Sequence, residues 1–191
     1  NNEEAVKWYR LATDQGHERA QLFLASMYAL GLGVPRDYIE AEKLYRLAAD
    51  QENAEAQFNL GTIYANGKGV TQNYIEAMKW YRLAANQRHA KAQNNLGAIY
   101  DYGYGVLVDD VEAVRWYRRS ADQGSANAQF NLGKMYDNGR GIPEDNLEAM
   151  RLYRLAAEQG DADALLILTN DLTDDQSLIP WNNSMAPELT F

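Results

Sequence analysis

Alanine recurs at Ala5, Ala41, Ala77, Ala113 and Ala149, and tyrosine at Tyr9, Tyr45, Tyr81, Tyr117 and Tyr153. Arginine follows each tyrosine, at Arg10, Arg46, Arg82, Arg118 and Arg154, and glutamine stands at Gln15, Gln51, Gln87, Gln123 and Gln159. Every step is 36 residues. A fixed period of this length marks a stack of supersecondary units, none of which buries its apolar face alone.

Each unit reads as two helical segments. In 53–66, "NAEAQFNLGTIYAN", Ala56, Leu60, Ile63 and Tyr64 fall three or four apart on one stripe, the period of a helix with one buried face. Gly61 lies in that stripe and recurs as Gly97 and Gly133, with Ala25 in the first copy. Glycine inside a helix costs about 1 kcal/mol against alanine, so its recurrence predicts close helix–helix contact. The second segment, 74–87, "YIEAMKWYRLAANQ", predicts a helix burying Ile75, Ala77, Trp80, Tyr81 and Ala84. Asn73 with Glu76 three residues on reads as a capping box, repeated by Asp37/Glu40, Asp109/Glu112 and Asp145/Glu148. Glu76, Lys79, Arg82 and Asn86 share the opposite face, and two basic residues per unit follow this stripe, from Lys7 and Arg10 to Arg151 and Arg154. It reads as a solvated face with acid–base pairs along each helix.

Between the helices lies a glycine loop: "LGLGV" (30–34), "NGKGV" (66–70), "YGYGV" (102–106) and "NGRGI" (138–142). A lysine between glycines invites a phosphate-binding reading, but the Gly-Lys-Ser/Thr ending is missing. Leu32, Tyr104 and Arg140 replace Lys68 in the other copies. The constant glycines therefore mark backbone geometry, with Gly31, Gly67, Gly103 and Gly139 ending the first helix of each unit at positive φ.

The pattern A-x-x-x-L-G-x-x-Y, then G-x-G-V, then a capped helix with A-x-x-[WL]-Y-R and a closing Q-G, resembles the Sel-1-like repeat. That family is related to the tetratricopeptide repeat. The resemblance covers residues 1 to about 172, as full units near 17–52, 53–88, 89–124 and 125–160 flanked by half units 1–16 and 161–172. It implies an all-α fold, a right-handed α–α superhelix of 36-residue two-helix repeats. Two features depart from the family. Secreted cysteine-rich members staple each unit with a disulfide, whereas this chain has no cysteine. The last copy has Thr169 for the glycine and Leu172 for the tyrosine. At the other end Asn1 opens an orphan second helix without a methionine, so the sequence reads as a fragment or processed chain of an array that continues upstream. Residues 173–191 carry no repeat. Their apolar set, with Trp181 and Phe191, is expected to fold back over the last unit; docking in the groove of a neighbouring molecule is the alternative.

Function is sought in columns that vary. The resemblance implies that the first helices line a concave groove, and their groove positions carry over by register to one face. These are Glu55, Lys91 and Asn127; Phe58, Asn94 and Phe130; Thr62 and Lys134; Asp101 and Asp137; Tyr102 and Asn138. Aromatic anchors beside orienting polar groups suit a protein or peptide partner. Phe58 and Phe130 have a second reading, as fillers between units. Asn59, Asn95 and Asn131 repeat, and read as structural hydrogen-bonders.

A net charge of −9 and a pI near 4.7 disfavour nucleic acid, which needs a basic face. No run is apolar enough to span a membrane. His17 and His89 share one repeat position, which gives a metal site little support, and no cofactor pattern is present. No nucleophile–base constellation and no Ser-x-x-Lys motif supports catalysis, including the β-lactam chemistry linked to some disulfide-rich relatives. The expected role is a non-enzymatic protein-binding scaffold or adaptor, bacterial, with the periplasm or secretion favoured over the cytoplasm. The alternatives are an immunity or inhibitor protein that blocks a toxin, and a secreted factor that contacts a host protein.

Overall fold

A computed structural model describes residues 1–174, with side chains described through 170. The described residues form ten helices and no strand: α1 (Asn2–Asp14), α2 (Glu18–Leu30), α3 (Tyr38–Ala49), α4 (Ala54–Asn66), α5 (Tyr74–Asn86), α6 (Ala90–Tyr102), α7 (Asp110–Ala121), α8 (Ala126–Asp137), α9 (Asn146–Glu158) and α10 (Ala162–Asp174). Even-numbered helices are the first of each unit (A) and odd-numbered ones the second (B). Each helix packs on its neighbours in sequence, as a solenoid requires. The expected fold-back of 173–191 falls on side chains outside the described residues.

The recurring small residues set the spacing within a unit. Ala56, Ala92 and Ala128 of the A helices and Ala41, Ala77, Ala113 and Ala149 of the B helices are fully buried. The glycines of α4, α6 and α8 each face the tyrosine of the following B helix. A Cβ on Gly61 would stand 2.5 Å from Tyr81 Cδ1, one on Gly97 2.5 Å from Tyr117 Cδ1, and one on Gly133 2.7 Å from Tyr153 Cε1.

The glutamine column ties helices together. Gln51, Gln87, Gln123 and Gln159 donate to the side-chain carbonyls of Gln21, Gln57, Gln93 and Gln129 at 2.8, 2.9, 2.6 and 2.8 Å. The acceptor glutamines are buried. Gln57 and Gln93 in turn donate to the carbonyls of Ala49 and Ala85, at the end of the preceding B helix. A buried amide with unmade hydrogen bonds would destabilise the fold, so this column is fixed by satisfaction of polar groups.

The loops follow the glycine geometry. Gly31, Gly67 and Gly103 are left-handed C-caps at φ 73°, 65° and 69°. In the fourth unit the helix stops one residue earlier, with Asn138 at the cap, while Gly139 keeps φ 60°. The second loop glycine has a packing reason as well. A Cβ on Gly69 would stand 2.7 Å from Cβ of Tyr38, and one on Gly141 2.3 Å from the Asp110 backbone, both at the start of the preceding B helix.

Three expectations are corrected. The capping box is half made: Asp37, Asn73, Asp109 and Asp145 accept from the backbone of their first turns, but the reciprocal bond from the glutamate is absent. The cap residue's own N–H is already taken by the carbonyl of Tyr28, Tyr64, Tyr100 or Tyr136. The glutamates turn to the next basic residue instead, as in Glu76–Lys79 at 2.8 Å and Glu148–Arg151 at 2.7 Å. Ile75 is not buried but 52% exposed, because the second residue of the B helix points away from the A helix. The arginine column is not merely a solvated face. Arg10, Arg46, Arg82 and Arg118 donate to the hydroxyls of Tyr28, Tyr64, Tyr100 and Tyr136 of the next unit, at 2.6, 2.6, 2.5 and 2.8 Å.

Candidate functional site

The tyrosines of α3, α5, α7 and α9 reach through to the A-helix side, where each hydroxyl meets a polar side chain of the A helix. Tyr45 pairs with Ser26 at 3.0 Å, Tyr81 donates to Thr62 at 3.3 Å, Tyr117 to Asp101 at 3.1 Å and Tyr153 to Asp137 at 3.4 Å. Burial holds all four phenols above the ordinary tyrosine value, and the carboxylates beside Tyr117 and Tyr153 push those two further up.

Two recesses open on this side at equivalent positions of consecutive units. One, of about 320 Å³, is lined by Ser26, Tyr38, Tyr45, Asn59, Thr62 and Lys68 among others. The second, of about 260 Å³, is lined by Thr62, Tyr74, Tyr81, Asn95, Ala98 and Tyr104 among others. Each therefore has tyrosine walls, a hydroxyl and a carboxamide, the mixture of apolar surface and placed polar groups that recognition sites use. In the third interval charged side chains meet at the corresponding positions. Arg140 contacts Asp101 at 2.7 Å and Asp110 at 2.5 Å. Asp101 stands where Ala29 and Ala65 line the two open recesses.

The loop residue between the glycines has a fixed neighbour thirty residues earlier, at the start of the preceding B helix. Lys68 lies over the Tyr38 ring at 5.7 Å, Tyr104 stacks on Tyr74 at 4.9 Å, and Arg140 pairs with Asp110. Leu32 in this column argues against a phosphate site, and one residue at a time the column shows no common chemistry. The constant feature is the pairing: Tyr38 and Tyr74 meet their partners through their rings and Asp110 meets its partner through its carboxylate.

The expected site residues do not form one set. Phe58 is half-buried, stacked on His89 at 4.7 Å and tilted against Tyr81 at 5.8 Å, and Phe130 is tilted against Tyr153 at 5.7 Å with Lys134 over it at 5.7 Å. Both rings therefore serve contacts between helices. Thr62 is the wall shared by the two recesses. Tyr102 is exposed and extends the aromatic ladder, stacked on Tyr104 at 5.6 Å. Asp101 is buried, which removes it from the free groove positions. Glu55 is exposed and accepts from His89 at 3.1 Å. The other ring nitrogen of His89 accepts from the Ala92 N–H at 3.2 Å, so this histidine is a helix cap. Asn94 accepts from Asn131 at 3.2 Å, Asn138 donates to its own helix at the Lys134 carbonyl, Asp137 receives Tyr153, and Lys91 and Asn127 are exposed. Asn95 bonds the Tyr81 hydroxyl, and Asn59 lines the first recess. Tyr38, Tyr74, Lys68 and Tyr104 belong to the recesses and were not among the expected residues.

Among the described residues no helix is long and apolar enough to cross a membrane, and no group of three His, Cys, Asp or Glu is placed to hold a metal ion.

A ten-helix array of two-helix units with successive recesses on one side is a helical-repeat solenoid of the superhelical type. The Sel1 repeat matches residues 1–17, 18–53, 54–89, 90–125 and 126–161, and the chain belongs to that family. A protective antigen of uropathogenic Escherichia coli with this fold is 38% identical over 90% of the chain, at a TM-score of 0.86. The chain spans 37% of that antigen's length. A Sel1 repeat protein of Oxalobacter formigenes is 39% identical over 89% of the chain and 69% of its own length, with a TM-score of 0.84. An immunity protein of Pseudomonas aeruginosa is 25% identical over 83% of the chain and 58% of its own length, with a TM-score of 0.55. No curated protein matches the chain significantly. Sel1 repeat solenoids are generally protein-interaction scaffolds without enzymatic activity.

Proposed function

We propose that this chain is a non-enzymatic scaffold that holds an extended segment of a partner protein along its A-helix side. One observation carries the reading. The fold-determining columns repeat, while the A-helix side varies and presents two successive recesses one repeat apart. Such a row fits a chain that lays one side chain into each recess and passes its backbone over Asn59 and Asn95. At the third interval the row meets the Asp101–Arg140–Asp110 contact. Thr62, Tyr74, Tyr102 and Tyr104 supply the contact surface. In this reading 1–172 is one binding array and the remaining residues lie outside it.

A second reading, that of an immunity protein blocking a toxin, has the similarity to the Pseudomonas aeruginosa immunity protein behind it. It uses the same surface with a folded partner.

The test is selection of peptides from a displayed random library on the wild-type chain, followed by binding to Tyr74→Ala/Tyr104→Ala. The scaffold reading predicts binders that the double variant weakens by tenfold or more, a change of about 1.4 kcal/mol. Binders indifferent to the double variant would contradict it.

A further inference from the structure

One column of the B helices reads Trp8, Leu44, Trp80, Trp116, Leu152. Trp80 belongs to one buried cluster with Ala49, Leu60 and Tyr64. Trp116 sits in the equivalent cluster with Ala85, Leu96 and Tyr100. Each indole is more than nine-tenths buried and lies beneath a guanidinium, Arg46 at 5.5 Å for Trp80 and Arg119 at 4.7 Å for Trp116. In the next interval the same floor is present as Ala121, Leu132 and Tyr136, but Leu152 replaces the indole. A cavity of about 220 Å³ remains there between α7, α8 and α9. It is walled by Leu152 and Leu155, with Arg118 and Arg151 among its lining. Leu44 also lacks the ring, and in its interval the larger Thr13 holds the position of Ala121.

We propose that this cavity is a binding site for a planar aromatic ring, which takes the place the chain's own indoles take in the two preceding units. The chemistry is set by the surroundings. Ala121, Leu132, Leu152 and Leu155 give a ring face its apolar contact, and Arg118, Asp122, Gln129, Glu148 and Arg151 form a polar and charged rim around it. Arg118 donates to the Tyr136 hydroxyl at 2.8 Å and Arg151 is held by Glu148 at 2.7 Å. Both guanidiniums are thus fixed near the cavity, where a π face attracts them. An aromatic side chain of a partner and a free aromatic acid share this chemistry.

Indole is the probe, titrated into the full chain and followed by calorimetry and by methyl NMR. The expected result is one saturable site of millimolar affinity, with shifts confined to the methyls of Leu132, Leu152 and Leu155 and the neighbouring Ala121. Leu152→Trp fills the cavity, raises the melting temperature and abolishes indole binding. Trp116→Leu opens a second cavity, so indole stoichiometry rises to two. If Leu152→Trp does not fold, Trp116→Leu decides alone by that stoichiometry. N-acetyl-tryptophanamide and indole-3-acetate separate the sources: binding of the first assigns the site to a polypeptide side chain, and binding of the second alone to a free aromatic acid. Unmoved methyls up to the solubility limit of indole, or equal binding by Leu152→Trp, would overturn the proposal.

Discussion

Gly97 and Tyr117 are in direct contact across one unit: a Cβ on Gly97 would lie 2.5 Å from Cδ1 of the ring, and the ring is fully buried. Alanine at 97 gains about 1 kcal/mol of helix propensity and meets an overpacking cost of about 1–3 kcal/mol. Gly97→Ala is therefore expected to lower stability by about 1 kcal/mol in urea unfolding. Gly97→Ala/Tyr117→Leu should lose the clash term, so the two changes should be less than additive. The first unit carries Ala25 at this position, buried in one cluster with Tyr45.

Glu52 and Arg88 sit at φ 66° and 65°, where the other B-to-A turns have Gly16, Gly124 and Gly160. A non-glycine residue in the left-handed region costs about 1–2 kcal/mol. Glu52→Gly and Arg88→Gly should each raise the melting temperature by a few degrees, and Gly124→Ala should lower it. Gly141→Ala should be worse than Gly124→Ala, because its Cβ would strike the Asp110 backbone while space around Gly124 is open.

Alkaline pH should unfold the array through Tyr45, Tyr81, Tyr117 and Tyr153. Their phenols are raised above 10.0 in the fold, chiefly by burial. The unfolded chain releases these protons near pH 10 and the folded chain does not, so stability present below pH 10 falls as pH rises beyond it. Tyrosinate absorbance from these four should appear only with loss of helical circular dichroism. Tyr117→Phe should reduce the alkaline sensitivity.

Arg140→Ala removes the cation beside buried Asp101, and an uncompensated buried charge is destabilising. With the arginine side chain 40% exposed, the expected loss is about 1–2 kcal/mol rather than the full buried-pair value. Asp101→Ala/Arg140→Ala should recover part of it, since Ala29 and Ala65 stand at the position of Asp101 in the first two intervals. That double variant should also open a third recess. Thermal melts of the three proteins check the order.

Much of the fold was legible because one constraint was written five times. Helix bounds at Ala54–Asn66 and Tyr74–Asn86 follow the repeat within a residue, and the recurrence of Gly61, Gly97 and Gly133 in a helical stripe predicts the glycine contacts. The inter-unit bonds were not legible. Arg82 and Tyr100 lie eighteen residues apart on different helices, and nothing in helical periodicity joins them. The recess walls were missed for a related reason. Lys68, Tyr104 and Arg140 look interchangeable one at a time, and only their partners Tyr38, Tyr74 and Asp110 show that each unit solves the same contact with different chemistry.

The most direct measurement is a hydrogen-exchange footprint of the tightest library-selected peptide on the full chain. The scaffold reading predicts slowed exchange in α4 and α6 and in the loops carrying Lys68 and Tyr104, with the outward faces of α5 and α7 unchanged. Protection centred on Lys79, Arg82 and Leu83 of α5, with α4 and α6 unaffected, would contradict it.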